Sequence, residues 1–265
     1  MRYSISGCSF YKLMTRKLLN MPRDFSVEIF YEYGSQDMWN SFMAELSAHG
    51  FDGFSIHAPF AFVDITAECD ETKLFDTLKR PFDLYHRYNG EFYVLHTYGA
   101  SACTEDPQHQ AGYRGRSMER IHKFNEICKA EGVRLGAENL CDGKTPLYNE
   151  EQFLNLFEQI PDMSCVLDVG HALAAKMDIA NLQRRLGSRI CAYHLHNNDG
   201  ISDLHERLQS GVMDWKAFAE NCVRYTPKAV GVLEYLKYQD FAVYEEDRAY
   251  LESLLRAAQA EAGGV

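Results

Sequence analysis

The chain has 265 residues, 46% of them hydrophobic, enough to bury one large α/β core, and no run of about 18 apolar residues marks a membrane-spanning helix. A formal charge of -11 disfavours a protein that holds nucleic acid mainly through phosphate contacts, because that mode needs a basic footprint. The amino-terminal segment lacks an uninterrupted apolar stretch before Lys12 and Arg16, unlike a signal peptide, and the eight cysteines form no CxxC pair, as expected of reduced thiols in a cytoplasmic protein.

In chain order, strand-like runs at 3–6 and 27–30 precede a helical pattern at 38–48, and strands at 54–57 and 93–96 precede one at 118–130. A strand at 134–139 leads to a helix at 150–160, a strand at 165–168 to a helix at 179–186, and a strand at 190–196 to a helix at 215–225. The last strand, 230–235, is followed by a helix at 244–257. Segments 100–115 and 237–241 carry no clear periodicity but are unlike interdomain tethers. Asn149 with Gln152 reads as a capping box, Asp178 and Asp214 as N-caps, and Gly132 and Gly187 as helix stops. Eight strands alternating with helices predict an α/β fold, a single (β/α)8 TIM barrel occupying 1–265 as one domain.

His57, His96, Glu138, Asp168, His194 and Glu234 each close an apolar run, and they recur at intervals of 39, 42, 30, 26 and 40 residues. Each interval is about one βα unit, so all six are expected at strand carboxyl ends. Strand parity sharpens the expectation. Ser55 shares a face with His57, Val94 with His96, Gly136 with Glu138, Val166 with Asp168, Ala192 with His194 and His196, and Val232 with Glu234. The opposite parity holds residues such as Phe54, Ile56, Leu95, Leu135, Leu167, Cys191, Leu195 and Leu233, fit for a helical jacket. The six ionisable groups therefore point into the barrel and converge at the mouth, where such barrels carry their active sites.

Imidazoles and carboxylates together bind Zn²⁺, Mn²⁺, Fe²⁺ or Co²⁺. Glu138, Asp168, His194 and Glu234, from separate strands, would make one site with positions left for substrate oxygens. His171 in DVGH and Asp203 and His205 in SDLH add candidate ligands on loops, and His57 and His96 face them. His196 reads as a group holding a ligand in place. His49, His86, His109 and His122 read as ordinary surface or core histidines. Phe10, Tyr11 and Trp215 are candidates for the pocket wall, although jacket packing is the stronger reading of all three. Neither GxGxxG nor a Walker sequence is present, so no nucleotide cofactor is expected.

The segments SIHAP, VLHTYG, LGAENL, LDVGH, HLHNNDG, SDLHERLQSG and VLEYL, in that order along nearly the whole chain, resemble the xylose isomerase-like TIM-barrel superfamily. That superfamily contains sugar isomerases and epimerases and the apurinic endonucleases of DNA repair. Resemblance to the ketose 3-epimerases implies one divalent ion (Mn, Co, Mg, Fe or Zn) held by Glu138, Asp168, His194 and Glu234. It also implies catalysis by Glu138 and Glu234 on opposite faces of the reacting carbon through an enediolate, with His171 holding a small sugar-like substrate. Resemblance to the apurinic endonucleases implies instead three zinc ions held by His57, His96, Glu138, Asp168, His171, His194, Asp203, His205 and Glu234. The compact turn after His194 is more like the sugar-enzyme branch, and no basic DNA-penetrating loop is evident. Gly211 is followed by Val212 and Met213, which breaks the customary GxG. The expectation is therefore a metal-dependent sugar isomerase or epimerase, with the trinuclear-zinc phosphodiesterase and an inactive metal-binding barrel as alternatives. No membrane contact is expected, a nucleic-acid partner is disfavoured but stays open with the nuclease alternative, and because barrels of this size commonly pair, a homo-oligomer is left open.

Overall fold

The computed structural model describes residues 1–10, 12–32, 34–61, 63–102, 106–141 and 145–263. Tyr11, a candidate wall residue in the sequence, lies outside the described residues. Strands β1 (Arg2–Ser6), β2 (Ser26–Phe30), β3 (Phe54–His57), β4 (Tyr93–His96), β5 (Leu135–Glu138), β6 (Ser164–Asp168), β7 (Ile190–Leu195) and β8 (Val230–Leu233) pair in parallel and in sequence order. β8 returns to β1 and closes the barrel. The helices between them are α1 (Gln36–His49), α2 (Glu71–Lys79), α3 (Phe82–Arg87), α4 (Pro107–Ala130), α5 (Glu150–Gln159), α6 (Val169–Ala174), α7 (Ile179–Leu186), α8 (Trp215–Tyr225) and α9 (Phe241–Gly263). β1 and β2 are joined instead through 3₁₀ turns, Gly7–Ser9 and Lys12–Asn20. Among the described residues no helix is long and apolar enough to cross a membrane.

The parity expectation holds with one exception. Val94, Val166, Ala192 and Val232 pack together inside the barrel, while Leu135, Ala137, Leu167, Leu195 and Leu233 join the larger cluster beneath the helices. Cys191, expected outside, belongs to the inner cluster. Its position follows from a register shift: Cys165 pairs with Ile190 but Val166 pairs with Ala192, so the strand bulges at Cys191 and re-aims its side chain. The jacket is rich in rings, Phe124 touching Phe75, Phe82 and Tyr93, and each large apolar side chain so buried contributes about 1.5–3 kcal/mol.

Three helices were not visible in the apolar pattern. α2 and α3 divide one run because Pro81 interrupts it, and α6 is a short helix opened by Asp168, whose side chain accepts from His171 N. α4 also starts well before 118, at Pro107 behind the Asp106 cap, so 107–115 is helix and not loop. Its first turns are mostly exposed and present no apolar stripe to read. The Asn149–Gln152 capping box and the Asp178 and Asp214 caps are all formed.

Candidate metal centre and active site

Register places the site. His96 pairs with Glu138 and Asp168 with His194 across neighbouring strands, and all four close their strands or nearly so, which brings them to the carboxyl end of the barrel. Glu234 follows β8 directly, its amide donating to Leu195 O at 3.2 Å. Glu138, Asp168, His194 and Glu234 are buried, and each offers a ligand atom within 4.8 Å of the others. His194 Nδ1 stands 2.7 Å from Glu234 Oε2, 3.0 Å from Glu138 Oε1 and 3.7 Å from Asp168 Oδ2.

Two further groups flank these four. His57 Nε2 and His96 Nε2 are 3.1 Å apart, and each is 3.4 Å from Glu138 Oε2. On the other side His171 Nε2 and His205 Nε2 converge on Asp203 Oδ2, at 3.3 and 3.1 Å. His196 Nε2 sits 3.0 Å from both oxygens of Asp168, and its ring stacks on His205 at 3.8 Å. All nine sequence-designated residues, together with His196, are thus brought to one end of the barrel.

The other ring nitrogens explain how the imidazoles are aimed. Nδ1 of His57 faces Ala58 O at 2.8 Å, that of His171 faces Asn139 O at 3.0 Å, and that of His205 faces Glu234 O at 3.3 Å. With Nδ1 turned to a backbone carbonyl, Nε2 faces the site, the arrangement common in metal-binding histidines. Local backbone serves the same end. A Cβ on Gly170 would stand 2.0–2.6 Å from the His196 ring, so only glycine fits there in DVGH. His205 adopts the left-handed conformation, φ 47°, at a cost of about 1–2 kcal/mol. Arg207 beside it is clamped to buried Asp247 of α9, which also accepts from Tyr235 Oη at 2.8 Å.

Charge in the metal-free chain is balanced internally. Burial, the largest single influence, would raise the Glu138 and Glu234 carboxyls, but the charges and hydrogen bonds of the surrounding histidines, His194 foremost, together outweigh it, holding Glu138 well below the usual range and Glu234 at about 2. Burial likewise lowers His194 and His171, yet the Glu234 and Glu138 charges on the first and the Asp168 and Asp203 charges on the second push both well above their ordinary value. His96, where burial prevails, falls to about 3. The donor set fits a divalent cation: hard oxygens and borderline nitrogens are mixed. Glu138 Oε2 and Glu234 Oε2 are buried without a hydrogen-bond partner of acceptable geometry, and a cation would supply one.

Fold and sequence agree on the relationship. The description of the xylose isomerase-like TIM barrel matches residues 19–254. The chain belongs to the xylose isomerase-like TIM-barrel family. It is similar to an uncharacterized protein of Methanocaldococcus jannaschii, 22% identical over 134 residues, 49% of each chain. The chain thus spans about half the length of the curated relative it matches. Among solved structures it is similar to a D-tagatose 3-epimerase-like protein, with TM-score 0.83 and 18% identity over 99% of this chain and 100% of that one. It is also similar to an L-ribulose 3-epimerase, with TM-score 0.80 and 18% identity over 99% and 97%. At these identities the likeness is one of fold.

Above the polar floor, this xylose isomerase-like barrel opens into a cavity of about 440 Å³ walled by Phe30, Phe60, Val63, Tyr98, Leu140 and Leu236, within the ~300–1,000 Å³ usual for small-molecule sites. A larger groove, about 680 Å³, runs between Val63 and α2, but its lining includes none of the converging groups. Phe10 and Trp215 do not wall the cavity: Phe10 packs on Tyr238, Phe241 and Tyr244, and Trp215 on Phe218, both in the jacket. The wall instead comes from Phe30 at the end of β2, stacked 4.2 Å from His57, and from loop residues. Sequence reasoning also missed Glu28, fully buried on β2. Its inward parity with Phe30 was the available signal, but it lies inside a strand and not at its end.

The rim between the β3 and β4 loops is tied by Asp64. Its carboxylate accepts from Thr66 N at 2.7 Å, Ala67 N at 3.2 Å and Ser101 N at 2.7 Å. A Cβ on Gly99 would come within 2.3–2.7 Å of it. Burial would raise this carboxyl, but the Thr66 and Ser101 hydrogen bonds prevail and its pKa is lowered. Its stabilisation is therefore present above the unfolded value near 3.9 and lost as pH falls through the lower folded value. Asp64→Asn is expected to cost about 1–2 kcal/mol at neutral pH, and urea denaturation should show the difference from wild type shrinking below about pH 4.

Proposed function

We propose that the protein is a divalent-metal-dependent isomerase or epimerase of a small sugar or sugar derivative. The reading is carried by one observation: Glu138 and Glu234, which line an open cavity, meet buried Asp168 and His194 within 4.8 Å. Glu138, Asp168, His194 and Glu234 would hold the ion. When bound, it would polarise adjacent carbonyl and hydroxyl oxygens of an open-chain sugar and favour enediolate formation. Glu138 and Glu234 then serve as the proton-removing and proton-returning groups. His171 contacts substrate, and His57, His96 and His205 offer nitrogens to further hydroxyls. The walls above these groups are apolar, from Phe30, Phe60, Val63, Tyr98, Leu140 and Leu236.

A second reading has its own observation. The site residues sort into three compact groups: His57, His96 and Glu138; Glu138, Asp168, His194 and Glu234; and His171, His196, Asp203 and His205. Three zinc ions there would activate water against a phosphodiester. Against it, no arginine or lysine lines the cavity among the described residues.

Elemental analysis of untagged protein purified without added metal or chelator separates the two. The sugar reading expects about one manganese, cobalt, iron or magnesium ion per chain, and epimerisation or isomerisation within a panel of ketoses and aldoses. Close to three zinc ions, with cleavage of abasic-site DNA or phosphate esters and no sugar turnover, would sink it.

A further inference from the structure

His194 is held differently from its neighbours. His57, His171 and His205 each turn Nδ1 to a backbone carbonyl. His194 turns Nδ1 to the carboxylate cluster, and its Nε2 stands 3.0 Å from Glu28 Oε1. Neither of those two atoms has a hydrogen-bond partner of acceptable geometry, so they face each other as a close buried ion pair. Glu28 pairs in register with Ser55, two residues deeper in the barrel than His57, and both it and His194 are 0% exposed. Ser55 Oγ donates to Glu28 Oε2 at 3.0 Å. A carboxylate so buried costs several kcal/mol unless paired, and a barrel interior offers many apolar alternatives at this position.

We propose that Glu28 is a positioning residue for the metal centre: its carboxylate, 3.0 Å from His194 Nε2 and with Ser55 fixing its other oxygen, orients the His194 ring so that Nδ1 faces Glu138, Asp168 and Glu234. The inference rests on the metal-dependent reading above. Glu28 itself touches neither ion nor substrate. Its charge makes Nδ1 a stronger donor to a cation, and its grip prevents the ring flip that would withdraw Nδ1 from the other ligands. Backbone carbonyls do the second task for the flanking histidines; only a carboxylate does both.

The test is the affinity of the full-length, metal-stripped protein for Mn²⁺ and Co²⁺ by calorimetry, with the Co²⁺ visible spectrum and the denaturation midpoint of the metal-free protein. Glu28→Gln keeps the shape and removes the charge. It is expected to weaken ion binding about 10–100-fold and to alter the Co²⁺ spectrum, while the metal-free midpoint stays unchanged or rises. Ser55→Ala, which leaves the carboxylate but frees one oxygen, is expected to weaken binding about threefold, and it carries the test alone if Glu28→Gln does not fold. Wild-type affinity in both variants overturns the role of Glu28 but leaves the metal reading standing. A parallel loss of affinity and metal-free stability also overturns it, marking a structural pair. Absence of Mn²⁺ or Co²⁺ binding by the wild type overturns both.

Discussion

Replacing Glu234 by glutamine is expected to lower kcat for the proposed epimerisation by about 10²–10⁴-fold, the range for losing a positioned acid or base. The residue follows β8 directly, is 4% exposed, and lines the cavity with its Oε2 lacking a well-placed hydrogen-bond donor. Glu138→Gln should be comparably damaging, because inversion needs one group on each face of the reacting carbon. The two variants should still be distinguishable in D₂O. With one glutamate missing, the other can remove the proton on its own side and return deuterium to the same face. One variant should therefore wash deuterium into unreacted substrate without inversion, and which one does so assigns base and acid for that epimer. The ion must be saturating in these assays, since both residues also belong to the ligand cluster. Unimpaired turnover in either variant at saturating ion would rule out the two-carboxylate mechanism.

The placement of these glutamates was legible because two periodicities coincide. A period of two within each strand separates Leu135 and Ala137 from Gly136 and Glu138, and the recurrence of βα units puts a titratable group at each strand end. The same reasoning found His57, His96, Asp168 and His194, whose strands are buried on both faces. It failed where the cause lies outside the strand. Cys191 faces inward because of a bulge set by its pairing with β6. Glu28 was overlooked since a strand-end rule does not weigh a carboxylate in mid-strand. The cavity wall could not be read because Phe60, Leu140 and Leu236 come from loops, whose path depends on tertiary ties such as Asp64 to Ser101 and Arg207 to Asp247. Phe10 and Trp215 pack in the jacket, the reading the sequence favoured for them.

Asp168→Ala should give the largest loss of stability in the metal-free protein, about 3–5 kcal/mol, because it removes one partner from a buried charge cluster. Asp168 is 0% exposed and serves several neighbours at once. Its Oδ1 caps α6 by accepting from His171 N at 2.6 Å, both oxygens approach His196 Nε2, and its backbone is clamped by Asn139 on each side of the peptide. Of the interactions that raise His171 against its burial, the Asp168 charge is the first in size. The sign of the pH dependence follows. A histidine raised in the folded state contributes stability fully present below the unfolded value near 6.5 and lost as pH rises through the higher folded value. The gap between wild type and Asp168→Ala should thus narrow as pH rises from about 6 toward 9. Chemical denaturation in the presence of chelator would measure it. A gap that stays constant over that range would mean that capping and backbone packing, not the charge on His171, account for the role of Asp168 in holding this end of the barrel together.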